Sequence, residues 1–259
     1  MNIKSLLSKI DEIIPFVLSE TWDNTGLVLG DNDMPVSKIC LALDATPEVI
    51  DHAAELKCNL LITHHPLIFS PVRTIDTSTF TGAAIRKAIK NDIAIISLHT
   101  NWDKSGLNNT LASALRLNNI RTLQPNRKEE ERIGVIGELS REQHIDDFLN
   151  TVKDSWNLSH VIYHEAKDKK TISSVALCGG AGGELWLDAL YENADVFITA
   201  EVKRHQYLAA LYKGLSIIEI DHYEMENYSL SNLKKLLENT IDIDMEIIYS
   251  SSIKSIITG

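Results

Sequence analysis

The chain has 259 residues, enough for one large or two modest domains, and its 44% hydrophobic and 24% charged shares are ordinary for a globular protein. A formal net charge of −11 argues against nonspecific nucleic-acid binding, which needs a cationic surface, but not against a small anionic substrate in a locally positive cleft. No apolar run approaches the roughly 18 residues of a membrane span, and Lys4, Lys9, Asp11 and Glu12 interrupt the stretch where a signal peptide would be apolar, so a cytoplasmic protein with no membrane partner is expected.

Ile3, Leu6, Leu7, Ile10, Ile13 and Ile14 recur at helical spacing and predict an amphipathic N-terminal helix. Strands are then predicted at Lys38–Leu43, Cys58–Thr63 and Ile93–Leu98, alternating with helices at Pro47–Leu56, Thr81–Lys90 and Gly106–Leu117. That rhythm implies a largely parallel sheet covered on both faces. The polar run Gln124–Arg132 is the best linker candidate. Beyond it, Ile133–Leu139 reads as a strand, and Ser140 with Gln143 three residues on resembles a capping box opening a helix. Strands follow at His160–His164 and Ser173–Leu177, separated by the charged turn Lys167–Lys170. A helix at Glu184–Glu192, a strand at Asp195–Thr199, a helix at Glu201–Leu211 and a strand at Ser216–Ile220 come next. A helix carrying Leu230, Leu233 and Leu237 and a final strand at Asp244–Tyr249 close the chain.

The fold expected is α/β: two similar units, each a sheet flanked by helices, facing each other across a metal-containing cleft. The division expected is residues 1–100 plus 236–259 for the first unit and 101–235 for the second. Cys40, Cys58 and Cys178 form no CxxC pair, and their odd, sparse count argues against a disulfide framework. Cys40 and Cys178, in apolar runs, read as buried thiols.

Histidines and carboxylates fall just past the ends of four predicted strands. These are His64 and His65, then His99 and Asp103, then Glu201 and His205, then Asp221, His222 and Glu226. Open α/β sheets bind ligands at that edge. Imidazole with carboxylate and no thiolate suits zinc, manganese, iron or nickel. His222 and Glu226, at i and i+4, share a helix face, and Pro66 keeps His65 out of a helix. His64, His65, Asp103, His222 and Glu226 are therefore the metal ligands expected, enough for two divalent ions per chain. Asp103 is expected at an exposed strand end as the bridging group. A lone histidine at a strand end is usually structural, and His52, His144, His160 and His164 are read that way; His205 beside Lys203 and Arg204 is intermediate. Gly179–Gly183 lacks the full dinucleotide fingerprint and any following Lys-Ser/Thr, so it is read as a tight strand-to-helix turn rather than a cofactor loop.

The segments Glu20–Gly30 (ETWDNTGLVLG), Asp44–Thr46, Thr63–Phe69 (THHPLIF), His99–Asp103 (HTNWD), Gly179–Gly183, Ala194–Glu201 (ADVFITAE) and His222–Glu226 (HYEME) resemble the GTP cyclohydrolase 1 type 2 homologs, also called NIF-three-like or YbgI-like proteins. The resemblance covers nearly the whole chain, and WDNTGL with THHPLIF is its most specific part. It implies two α/β domains with a dinuclear metal centre between them, a ring-shaped homohexamer, and metal ligands at the same five positions. The sequence departs from the family where Trp102 replaces a common leucine, Ala200 and Asp221 replace glycines, and Met225 replaces a serine. The function expected is a metal-dependent hydrolase of GTP or a related nucleotide. The reaction implied by the family label opens the guanine imidazole ring at C8 and releases formate, with Glu201 or His99 as proton-shuttle candidates. A phosphoester hydrolase and a non-catalytic metal-binding regulatory scaffold are the alternatives.

Overall fold

The computed structural model describes residues 1–167 and 170–250. Part of the Lys167–Lys170 turn, and everything expected of the chain beyond residue 250, lie outside the described residues. Among those described, the chain divides into two compact units. Met1–Ser105 and the stretch from Leu230 onward form the first, and Gly106–Ser229 forms the second.

The first unit is built on a five-stranded sheet in the order β1-β4-β3-β2-β11. These strands are β1 (Gly26–Leu29), β2 (Ile39–Ala42), β3 (Leu60–Thr63), β4 (Ala94–Ser97) and β11 (Met245–Ile247). All but the antiparallel edge strand β1 run parallel. The helices are α1 (Ile3–Ile13), α2 (Pro47–Glu55), α3 (Phe80–Lys90), the single turn α4 (Thr100–Trp102) and α10 (Leu230–Glu238). Every residue of β2, β3 and β4 is buried, as strands covered on both faces must be. Cys40, Ala42, Leu61 and Ile95 pack beneath Val49, Ile50 and Ala53 of α2 and Ala84, Ile85 and Ala88 of α3. By strand alternation Ile39 and Leu41 point the other way, and α10 covers β2 and β11. Helix α2 begins where the sequence signals it: Thr46 Oγ1 accepts from Val49 N, and Pro47 occupies the first turn.

The expectation about cysteines is corrected in this unit. Cys40 and Cys58 form a disulfide, with Cα atoms 6.0 Å apart. Parallel pairing of β2 with β3 brings the two residues into one buried layer, a proximity that their sequence spacing does not encode. Cys178 is a buried thiol, as expected.

The second unit carries a six-stranded mixed sheet in the order β5-β6-β8-β9-β10-β7. The strands are β5 (Asn118–Thr122), β6 (Val135–His144), β7 (Ile162–His164), β8 (Thr171–Leu177), β9 (Val196–Thr199) and β10 (Ser216–Glu219). Only β8, β9 and β10 are parallel neighbours; β5, β6 and β7 pair antiparallel. The helices are α5 (Asn108–Ala114), α6 (Ile145–Trp156), α7 (Trp186–Tyr191), α8 (Arg204–Tyr212) and α9 (His222–Asn227). Ile136, Ala176, Phe197 and Ile217 pack with Ala189 of α7 and Ala210 of α8. Helix α6 lies against β6 and β8, buries Phe148, Val152 and Trp156, and donates from Trp156 Nε1 to the Leu111 carbonyl of α5.

Two local expectations fail here. The capping box at Ser140 does not form, because β6 keeps pairing with β8 as far as His144, and α6 starts at Ile145. Ladder hydrogen bonds outweigh a local cap in this stretch. The polar run at Gln124–Arg132 connects the antiparallel neighbours β5 and β6 within one sheet, so it is a hairpin connection and no boundary between units. Strand β5 escapes a pattern reading because its sequence, NNIRT, shows no apolar alternation.

Candidate metal centre

In the first unit, the ends of β3 and β4 deliver the histidines. His64 and His65 continue the parallel pairing past β3, donating their backbone N–H groups to Ala42 and Leu43. The side chains then diverge. His64 Nδ1 donates to the Leu98 carbonyl at 2.9 Å, and His65 Nδ1 donates to Asp44 Oδ1 at 2.8 Å. His99, just past β4, donates from Nδ1 to Asp23 Oδ1 at 2.9 Å. The three rings converge, with one ligand-capable atom from each within 4.8 Å of the others. His64 Nε2 also stands 3.5 Å from Asp103 Oδ1.

Asp103 opens a π-helical turn, Asp103–Leu107, between α4 and α5. Such turns are frequent at functional sites. Asp103 is only 7% exposed, which corrects the expectation of an open strand-end group. The helical turn that follows His99 folds Asp103 back beside His64.

In the second unit, Asp221 caps α9 by accepting from Glu224 N, and His222 and Glu226 sit one turn apart on that helix. Their approach is close, with His222 Nε2 2.9 Å from Glu226 Oε1. His222 Nδ1 donates to Glu201 Oε1 at 2.6 Å. Glu226 is buried, and the glycine turn after β8 explains how it is accommodated. Gly180 has φ +68°, and a Cβ there would lie 2.5 Å from Glu226 Oε1 and 3.6 Å from His222 Nε2. Reading Gly179–Gly183 as a tight turn is therefore right, and its close approach to Glu226 is an addition. The left-handed residue after β9 is Glu201, φ 54°, and not Ala200, so replacing the family's glycine with Ala200 costs no backbone strain. His205 lies exposed on α8, and His164 stacks on Tyr207 and faces Glu219; neither joins these groups.

Each of His64, His65, His99 and His222 thus donates its Nδ1 proton to a carbonyl or carboxylate, which leaves Nε2 as the ring atom a metal would take. That arrangement is the usual support of a metal-ligating histidine. Spacing alone does not single out the supporting acceptors Asp23 and Asp44. Both lie inside the resemblance segments, which is the one available signal. Burial pushes the Asp23 carboxyl upward, but hydrogen bonds from His99 and Thr100 and the His99 charge outweigh it and hold the pKa at about 2.

An imidazole nitrogen and a carboxylate oxygen stand close together in His222–Glu226 and in His64–Asp103, and both atom types are ligands a divalent cation can share. The imidazole-and-carboxylate donor set fits a borderline divalent transition metal. The space beside Glu226 is kept by the missing side chain at Gly180.

The family model for Duf34/NIF3 (NGG1p interacting factor 3) matches residues 1–255. A GTP cyclohydrolase 1 type 2 homolog of Clostridium perfringens is 36% identical over 258 residues, covering 98% of each chain. One of Campylobacter jejuni is 34% identical, covering 92% of this chain and 93% of its own. Among solved structures, a Staphylococcus aureus protein superposes with a TM-score of 0.89 at 32% identity over 99% of both chains. A Bacillus cereus protein related to NIF3 gives a TM-score of 0.87 at 25% identity, covering 97% of both. Two mixed α/β units carrying histidine and carboxylate clusters at their strand ends define the class, and the chain belongs to the Duf34/NIF3 family. No helix among the described residues is long and apolar enough to cross a membrane.

Proposed function

We propose that the protein is a metal-dependent hydrolase acting on GTP or a related nucleotide. Its ligands are His64, His65, Asp103, His222 and Glu226, which hold two divalent ions per chain. The observation that carries this reading is the shared orientation of the histidines, whose Nδ1 protons are donated to Leu98 O, Asp44 and Glu201. Metal-ligating histidines almost always carry such support, and all three histidines of the proposed ligand set have it.

When bound, the ions would supply Lewis acidity and lower the pKa of a water, the chemistry a hydrolysis needs near neutral pH. The chain's own residues do the rest. His99, gripped at Nδ1 by Asp23, takes up or releases a proton at its other ring nitrogen. Glu201 orients His222, and we assign it that positioning role ahead of the proton shuttle. The curated relatives' name, GTP cyclohydrolase 1 type 2 homolog, supports the choice of nucleotide. A homohexameric assembly belongs to the same reading and is checked by mass in solution.

The test is incubation of GTP with protein reconstituted separately with zinc, manganese, iron and nickel. The reading expects formate and a fluorescent pterin to appear together, only with metal. Inorganic phosphate without formate replaces it with phosphoester hydrolysis. No product from any nucleotide replaces it with a non-catalytic metal-binding scaffold.

A further inference from the structure

Most large aromatic side chains in this protein are buried or scattered, but Trp22 and Phe69 are exposed side by side. They are 58% and 55% exposed, with ring centroids 5.7 Å apart. Both also touch the edge of the histidine cluster. Trp22 lies 6.1 Å and Phe69 6.0 Å from the His99 ring, in near-perpendicular contact. A single exposed aromatic needs no explanation. Two in contact, abutting a group of convergent imidazoles, make a small apolar surface beside a polar site, and small-molecule sites combine aromatic surface with a few polar groups in that way.

The loop that carries Trp22 is fastened on both sides of it. Asp23 accepts from His99 Nδ1, Thr100 N and Thr100 Oγ1. Asn24 Nδ2 donates to the Ile68 carbonyl at 2.7 Å, the residue before Phe69. Upstream, Glu20 N donates to Thr100 Oγ1 at 2.9 Å and the Glu20 carboxylate pairs with Lys104 at 2.7 Å. The chain therefore holds an indole in the open while immobilising the backbone beneath it. Preorganisation of that kind removes the ordering cost from a later contact.

We infer that Trp22 and Phe69 are the stacking platform for the base of a nucleotide bound at the histidine cluster. The inference rests on the hydrolase reading for its choice of a nucleobase as the flat ring. Stacking suits these residues because each is a large apolar ring more than half exposed, the two rings inclined at 45° to each other, with the polar imidazole of His99 beside both, where the rest of the ligand would continue. Base–aromatic stacking is tolerant of base identity, so the platform supplies affinity for a planar heterocycle and leaves discrimination to other groups.

The experiment is equilibrium binding of guanosine, GTP and inorganic triphosphate to the full-length protein, measured with and without chelator. Native protein is compared with Trp22→Ala, Trp22→Phe, Phe69→Ala and the Trp22→Ala/Phe69→Ala pair. Thermal unfolding confirms that the variants are folded, as expected for exposed positions. The expected result is that native protein binds guanosine even in chelator. Each alanine variant should weaken guanosine and GTP about tenfold, and Trp22→Phe should restore most of the loss. Inorganic triphosphate binding should not change. The inference is overturned if native protein binds no nucleoside, or if the double variant binds guanosine as native does. It is also overturned if the variants change only the mass in solution, which would make the patch a contact between copies of the chain. Turnover is read separately. An unchanged kcat/KM for GTP in the double variant removes the platform and leaves the hydrolase standing. Guanosine binding through Trp22 without turnover of any nucleotide keeps the platform and removes the hydrolase.

Discussion

The Glu226 carboxylate lies directly against the backbone of Gly180, so that a Cβ at Gly180 would come within 2.5 Å of Glu226 Oε1. Glycine is required there twice over, once for its φ of +68° and once for the space. Gly180→Ala should lose stability from strain and also displace Glu226. Gly214→Ala is the internal control, because Gly214 has φ +85° but nothing within 4 Å of the place a methyl group would take. The control should lose about 1 kcal/mol of stability with metal uptake unchanged. Gly180→Ala should lose at least as much and also retain less metal after dialysis. Thermal unfolding and metal content on the two variants check this, and equal metal uptake in both would show that the apposition does not matter to the site.

Asp44 has no expected contact with an ion, yet it holds His65 Nδ1 at 2.8 Å. Removing such a supporting carboxylate typically weakens metal binding about 10- to 100-fold without unfolding the protein. Asp44→Asn keeps the volume but turns an anionic acceptor into a neutral amide. Competition with a chromophoric chelator should show that loss while the melting temperature of the metal-free protein stays within a few degrees of native. Undiminished affinity would mean His65 is not oriented for ligation.

The Asp23 carboxyl sits at about 2 in the folded protein against 3.8 for an unperturbed group. A carboxyl with a depressed folded pKa adds stability that is complete above the unfolded value and is lost as pH falls through the folded one. The contribution, on the order of 2 kcal/mol, should therefore be full above pH 4 and fade between about pH 4 and 2. Asp23→Asn should be less stable than native at pH 7, and the gap should narrow on acidification across that window. Denaturant unfolding at several pH values measures it; a gap independent of pH would show that the His99–Asp23 bond does not shift this carboxyl.

Much of this was legible in the residues because the relevant signals are local. Strands β2, β3 and β4 are continuous apolar runs, and the chemistry-bearing residues follow directly on the ends of β3 and β4. The i, i+4 spacing of His222 and Glu226 puts both on one face of α9 without any tertiary information. What the residues did not reveal depends on contacts far apart in the chain. Asp23 reaches His99 across 76 residues and Cys40 meets Cys58 across 18; neither partner announces the other. The continuation of β6 through Ser140 is a tertiary override, since pairing with β8 defeats a plausible local cap. The burial of Asp103 follows from the π-helical turn it opens, which no residue pattern encodes.

Asp103 faces His64 Nε2 at 3.5 Å and is buried, so Asp103→Asn removes a negative charge from beside an imidazole in a poorly solvated place. A carboxylate bridges two cations and an amide does so poorly. The variant should fold, lose most of one metal equivalent and lose nearly all of whatever turnover the native protein shows. Metal added to native protein should raise its melting temperature by linkage, and raise that of the variant less. Thermal shift with and without metal, measured side by side, checks this, and a full shift in the variant would show that Asp103 is not a bridging ligand.

The proposed dinuclear centre is tested most directly by elemental analysis of the native full-length chain, reconstituted with each of zinc, manganese, iron and nickel and freed of loose metal by gel filtration. The account predicts close to two ions per chain for at least one of the four metals, falling when any of His64, His65, Asp103, His222 or Glu226 is replaced. Retention of no stoichiometric metal under any of the four conditions would contradict it.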